Sequence, residues 1–329
     1  MPEIIDATSH IMPEAALDEL EKNHPSGEAS SLRNAPRMFA EEGRIDYLDR
    51  NNIDRQVINL AAPMIFNAAG PEGALSATRV ANDELKRIGE EYPDRFIPLG
   101  TVPFLTGEYV DEARRCVDDL GLHGIQIFSN INGKLLDDDD FEEFWSEIND
   151  LDVPVWIHPQ LTDWHDHEEG TTWIYKMLGW PFDTSVAVAR LIFSGVLERY
   201  QNIELVTHHL GGMLPFTVGR LHSWYRTRRE EPELYANPEM ADLSEPLEYY
   251  LERVYGDTAT SSVGESYPIK CGYEFFGGDN MVFSADYPFG PDKGEYWIQT
   301  ISQAMEDVDI PAEDKEKIYN GNIKRLLDL

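Results

Sequence analysis

Short apolar runs alternate with amphipathic stretches along the whole chain. The runs IIDAT (4–8), RQVINL (55–60), FIPLGTV (96–102), GIQIFS (124–129), VPVWIH (153–158), IELVTH (203–208), RVYGDT (253–258) and MVFSAD (281–286) are nearly continuous rather than alternating. That is the pattern of parallel strands covered on both faces. Helical patterns lie between them, among them 72–92, 108–121 and 140–151. In the second, Val110, Ala113, Cys116, Val117 and Leu120 share one face and Gly121 stops the helix. Eight strands with interleaved helices predict the α/β class. The architecture expected is a (β/α)8 TIM-type barrel with insertions in the strand-end loops, a single domain over 1–329. A doubly wound sheet lacks support: GGDN (277–280) precedes a strand, and HHLGGM (208–213) fits no dinucleotide pattern. No repeat or linker rich in Pro, Gly or Ser divides the chain. The acidic run LDDDDFEEF (136–144) reads as a solvated helix start.

Charge narrows the partners. Against 27 basic residues stand 61 acidic ones, a net charge of −34, which argues against nucleic acid and against anionic membrane surfaces. Nine Lys against 18 Arg in so acidic a chain suit a protein kept soluble at high salt, so a halophilic source is expected. Apolar residues, at 42%, suffice for a sizeable core. Cys116 and Cys271 make neither a disulfide framework nor a cysteine metal site. MPEIIDA carries no basic segment before an apolar core, and the most apolar stretch, VAVARLIFSGVL (186–197), is interrupted by Arg190. A cytoplasmic protein without a membrane span is therefore expected.

In a barrel, chemistry collects at the C-terminal ends of the strands. Strand one ends with Thr8 and His10, strand five with His158, and strand six with His208 and His209. Strand seven ends with Asp257 and strand eight with Asp286. Residues at i and i+2 share a strand face, so Thr8 and His10 should both point into the barrel mouth. His158 and Asp286 are placed to converge with them on one ion. Imidazole and carboxylate together suit zinc or another divalent transition metal. Taken singly, each histidine reads as a satisfied buried side chain; strand physics does not require all of them to cluster at strand ends.

The segments IDATSHIMP, VWIHP, THHLGGMLPFTVGRL and FSADYPFG, in that order, resemble the motifs of the aminocarboxymuconate-semialdehyde decarboxylase group of the amidohydrolase superfamily, the amidohydrolase 2 proteins. NNIDRQVINL, GLHGIQIFSNING, TSVAVARLIFSGVLERYQNIELV and KIYNGNIKRLL agree, so the resemblance covers nearly the whole chain. In that family the first strand gives two ligands, His-x-His or Glu-x-His. A strand-five histidine and a strand-eight aspartate complete the set, and a strand-six histidine works beside the metal. The resemblance thus implies His10, His158 and Asp286 as metal ligands. It makes His209, six residues before Pro215, the strand-six group. His208 would then point the other way, in a structural role, because strand neighbours alternate faces. Thr8 is the departure, a weak ligand or a ligand-replacing position. Three protein ligands plus water still make a workable catalytic zinc site. The expected cofactor is one divalent ion, zinc first, with manganese or another divalent ion as alternatives; loss of the metal is the other consequence open at Thr8.

The resemblance implies non-oxidative decarboxylation of an aromatic or unsaturated carboxylic acid, by a homodimer or homotetramer. The ion would act as a Lewis acid on the substrate's carboxylate or an adjacent hydroxyl. Asp286, or a metal-bound water in contact with His209, would deliver the proton to the carbon that loses CO2. His209 would also stabilise developing charge. An anionic substrate needs local positive potential, for which Arg33, Arg37, Arg44 and Arg220 are candidates. The stretch QLTDWHDHEEGTTWIYKMLGWPFDTS (160–185) reads as a long aromatic loop. Its Trp164, Trp173, Tyr175 and Trp180 would line a ring pocket, or pack against the rim or a dimer partner. His165 and His167 sit in an acidic, turn-like stretch and read as surface residues. Two rivals remain. The same barrel and ligands would serve a hydrolase of amides or lactones, and hydration of a double bond is a near variant. A degenerate barrel that only binds its ligand rests on Thr8 alone. A binuclear site bridged by a modified lysine is not expected, because Lys134 falls in a loop beyond strand four.

Overall fold

The apolar runs become eight parallel strands in a computed structural model of the chain, which describes residues 3–24, 33, 38–39, 41–61, 64–160, 174–231, 233, 240–260 and 264–329. They are β1 (Ile5–Ile11), β2 (Arg55–Leu60), β3 in two pieces (Phe96–Pro98 and Gly100–Thr101), β4 (Ile125–Phe128), β5 (Val155–His158), β6 (Leu205–Thr207), β7 (Val254–Asp257) and β8 (Met281–Val282). Neighbours in sequence are neighbours in space, in the order β1-β2-β3 and then from the second piece of β3 through to β8. Closure comes from Ala7 N–H donating to Phe283 O (2.8 Å) and His10 N–H donating to Tyr287 O (2.7 Å). The expected TIM barrel is what forms. Most strands are shorter than their apolar runs, but β1 is longer and carries His10 inside the ladder.

Two apolar layers hold the barrel. Ile5, Ala7, Val57, Ile97, Leu99, Trp156, Val206, Tyr255 and Val282 meet inside it, joined by Ile323, Leu326 and Leu327 from the C-terminal segment. Trp156 also donates its indole N–H to Ala7 O (3.1 Å). The opposite strand faces pack against the helices: α1 (Glu14–Asn23), α2 (Glu41–Arg50), α3 (Gly70–Glu91), α4 (Glu108–Asp118), α5 (Glu142–Leu151), α6 (Trp180–Phe193), α7 (Leu214–Glu230), α8 (Tyr267–Phe276) and α9 (Glu295–Asp307). α4 buries Val110, Ala113 and Cys116 as its apolar stripe predicts. It lies so near β3 that a Cβ at Gly100 would stand 2.7 Å from Cys116 Sγ. The acidic run does start a helix. Asp138 accepts from Asp140 N–H (3.0 Å), a short 3-10 turn follows, and α5 begins at Glu142. The long loop expected through 185 ends earlier. Pro181 stands in the first turn of α6, where a missing N–H costs nothing, and the helix runs from Trp180.

Below the mouth, Arg44 binds the first two strands and the last into one unit. It is fully buried. Its guanidinium donates to His10 O (2.5 Å), Gln56 Oε1 (2.9 Å) and Ser9 Oγ (3.2 Å), and lies 4.7 Å over the Tyr287 ring. Gln56 in turn donates to Asp6 Oδ2 (2.8 Å), whose other oxygen faces Ala285 N–H (3.3 Å). Burial pulls the Arg44 pKa down to about 10 and pushes Asp6 up to about 6. Arg44, expected as a substrate-binding group, is placed in the barrel wall instead, and every hydrogen-bonded N–H it has is turned to that wall. Removing one member of such a network strands the others without water. Arg44→Met should lower unfolding free energy by about 3 kcal/mol, read as a fall in the urea midpoint. A midpoint equal to that of the wild type would show that the network contributes nothing net.

Candidate metal centre

His10 on β1, His158 at the end of β5 and Asp286 just beyond β8 meet at the mouth. His158 Nδ1 lies 2.7 Å from Pro159 O. A carbonyl can only accept, so Nδ1 carries the proton and Nε2 keeps its lone pair for a ligand role. His10 Nε2 lies 3.1 Å from Asp286 Oδ1, while Asp286 Oδ2 is 3.7 Å from His209 Nε2. Two ligand atoms on one ion, each bonded at about 2.1 Å, stand about 3 to 3.5 Å apart. The His10–Asp286 pair has that spacing. His10 Nδ1 and both ring nitrogens of His208 are sealed from solvent without a hydrogen-bond partner. Buried imidazoles are normally satisfied, so an ion fits this donor set.

The turn after β6 decides where the histidine pair points. β6 ends at Thr207, and His208 is the last extended residue (φ −71°, ψ 156°). His209 (φ 56°), Leu210 (φ 58°), Gly211 (φ 69°) and Gly212 (φ 64°) then run consecutively in the left-handed region. The expectation that His208 faces away is therefore wrong. Alternation holds only while the strand continues, and here it stops first. Ligand atoms of His10, His158 and His208 lie within 4.8 Å of one another. His209 also reaches the mouth, its side chain 17% exposed beside Asp286. The left-handed run is held by Asp257 Oδ1, which accepts from His209 N–H (2.8 Å), and by Ser185 Oγ, which accepts from Met213 N–H (2.7 Å). Left-handed non-glycine residues cost roughly 1 kcal/mol each, and such strain concentrates at functional sites.

Charge is sorted within the cluster. Burial, reinforced by the neighbouring His10, pulls the His158 pKa down to about 3. Burial does the same to His208, with His158 adding to it. Both are neutral imidazoles, the form that ligates. Burial alone would raise the Asp286 carboxyl, yet contacts with His10 and His209 hold it far below the usual carboxylate range. For His209 burial again opposes the charged form, and the contact with Asp286 outweighs it, leaving the ring raised. Burial pushes Asp257 up to about 6.

The remaining predicted residues divide. Trp180 reaches the site: its ring is stacked on His209 (6.4 Å, 10°) and edge-on to His158 (5.9 Å). Arg33 does not, since it pairs with Asp18 (2.6 Å) and Glu21 (2.7 Å) on α1. Arg220 is exposed on α7. Arg37, Trp164, His165, His167 and Trp173 lie outside the described residues, as does the Tyr175 side chain. Thr8 is fully buried, its hydroxyl without a hydrogen-bond partner, and a β-bulge falls between Asp6 and Ser9. Two wall residues went unread. Phe289 lies 5.6 Å from the His10 ring, and Lys176 holds its ammonium 5.6 Å from the Trp180 ring. Phe289 follows Asp286 by three residues, which was its only signal.

A closed parallel barrel with imidazoles and a carboxylate gathered at its C-terminal mouth is the architecture of the metal-dependent amidohydrolases. The chain belongs to the amidohydrolase family, whose model matches residues 5–329. It is similar to 2-amino-3-carboxymuconate-6-semialdehyde decarboxylase of Dictyostelium discoideum, 32% identical over 87% of this chain and 76% of the relative. It is also similar to gamma-resorcylate decarboxylase of a Polaromonas species, 27% identical over 88% and 87%. Among solved structures, 5-carboxyvanillate decarboxylase of Novosphingobium aromaticivorans, complexed with manganese and 4-hydroxy-3-methoxy-5-nitrobenzoic acid, shares the fold. The TM-score is 0.82 at 24% identity, over 100% of this chain and 96% of that one.

The left-handed turn offers a direct test. A Cβ at Gly212 would stand 2.0 Å from Pro181 O at a φ of +64°, whereas at helical Gly219 it would meet nothing within 4 Å. Gly212→Ala should lose about 2 kcal/mol or more of stability. Gly219→Ala should gain up to about 1 kcal/mol. Equal thermal midpoints for the two variants would contradict the geometry of the turn.

Proposed function

We propose that this chain is a carboxy-lyase that uses one divalent ion to remove CO2 from an aromatic or unsaturated carboxylic acid. The observation that carries the reading is Asp286, whose two oxygens face His10 on one side and His209 on the other. That arrangement joins a metal-binding edge to a proton-carrying edge. His10, His158 and Asp286 would hold the ion, and the ion would supply Lewis acidity toward the substrate's carboxylate or a neighbouring hydroxyl. Trp180 and Phe289 would sandwich the ring. Lys176 brings positive charge to the same rim, which an anionic substrate needs in a chain of net charge −34.

The reaction breaks the bond between the ring or unsaturated carbon and its carboxylate. CO2 leaves, the electron pair stays on the carbon, and that carbon takes one proton. His209 stands nearest solvent of the site histidines and is held by Asp286, so it is the group that hands over the proton and refills from water. The names of these two curated relatives, both decarboxylases, support this reading. Manganese in the Novosphingobium structure supports a role for that ion, while imidazole and carboxylate donors suit zinc as well. A homodimer or homotetramer belongs to the proposal, because Met177, Leu178 and Phe216 leave apolar side chains exposed on the helical surface.

The reading is tested at high salt with zinc- and manganese-loaded protein, offered gamma-resorcylate, 2-amino-3-carboxymuconate-6-semialdehyde and a lactone. CO2 release from one of the acids is expected, abolished by a chelator. His209→Gln should lose roughly 10²- to 10⁴-fold in kcat, and Asp286→Asn at least as much. Turnover of the lactone without CO2 release would make the chain a hydrolase instead. An Asp286→Asn enzyme with full activity would sink the assignment altogether.

A further inference from the structure

We infer that His208 is a direct ligand of the ion, giving the site three imidazoles from β1, β5 and β6 beside the Asp286 carboxylate. The inference rests on the metal-dependent reading above and goes beyond it in the donor set. The first support is geometric. Imidazoles bonded to one ion at about 2.0–2.1 Å place their ring centres about 5 Å apart. The centres here are 5.0 Å apart for His10 and His158, 4.9 Å for His158 and His208, and 5.6 Å for His10 and His208.

The second support is the state of the His208 ring. It is 1% exposed, and neither nitrogen has a hydrogen-bond partner. A buried imidazole left so is destabilising unless something else satisfies it. Its Nδ1 lies 3.9 Å from Asp257 Oδ2, an oxygen that is itself buried without a hydrogen bond, while Oδ1 is occupied by two backbone N–H groups. Carboxylates placed on the far nitrogen of an imidazole orient it toward a metal. Asp257 stands on the Nδ1 side of the ring at a distance too long for a hydrogen bond, and Nε2 is the nitrogen left for the ion.

The third support is at position 8. Thr8 offers only a neutral hydroxyl within β1, buried and unpartnered. Strand one therefore supplies a single strong donor, His10, and the structure brings another imidazole from the strand-six turn to the same place. A set of three nitrogens and one oxygen favours zinc over harder ions.

Three measurements on the full-length protein decide it. X-ray absorption of the zinc-loaded wild type should count three imidazoles, falling to two in His208→Gln. Competition with a chromophoric chelator should show zinc held at least about 10²-fold more weakly by His208→Gln, and Thr8→His in that background should recover part of the loss. Thermal midpoints of the metal-free proteins report whether the variants fold; if His208→Gln does not, the wild-type imidazole count decides alone. One equivalent of zinc bound with equal affinity and an equal imidazole count in wild type and His208→Gln would overturn the inference while leaving the metal site standing. No zinc or manganese bound by the wild type would overturn the metal-dependent reading itself.

Discussion

A carboxylate taken out of water governs the mouth of this barrel. Asp286 sits in a pocket where burial alone would force it to pick up a proton. It remains ionised because His10 and His209 stand on its two oxygens at 3.1 and 3.7 Å. Everything else at the site follows from keeping those three groups together. Each belongs to a different strand end, so the constraint falls on the closure of the barrel rather than on any local sequence.

Two devices meet the constraint. Under the site, the buried Arg44–Gln56–Asp6 network ties β1 to β2 and to the chain after β8, and its bond to His10 O fixes the backbone that carries the first imidazole. Above it, the left-handed turn from His209 to Gly212 folds the chain back sharply after β6, and Asp257 pins that turn from the neighbouring strand. The first device is a desolvated cation whose two terminal nitrogens meet acceptors; the second holds backbone strain. Both are costly in isolation and persist only because the surrounding packing over-determines them.

The electrostatics are consistent with chemistry on an anion. A net charge of −34 would repel a carboxylate, yet the interior histidines His158 and His208 are neutral and the Asp286 carboxylate is already committed to His10 and His209. Kinship with decarboxylases, the exposed edge of His209 and the aromatic walls at Trp180 and Phe289 all fit one class of substrate.

By itself the sequence determined the barrel, because parallel strands buried on both faces must be continuous apolar runs, and β2 coincides with its run residue for residue. It also placed His10, His158, His209 and Asp286 at strand ends, since their motifs are local. It did not determine which way His208 points, because that depends on a strand ending one residue early and on four consecutive left-handed residues. Nor did it separate Arg44 from the other arginines. Whether a guanidinium meets substrate or barrel wall depends on what lies across from it, and His10 O, Gln56 and Ser9 come together around Arg44 only when β1 and β2 pair. Local chemistry is written along the chain; the direction and partners of a side chain are long-range properties, and only the closed barrel decided them.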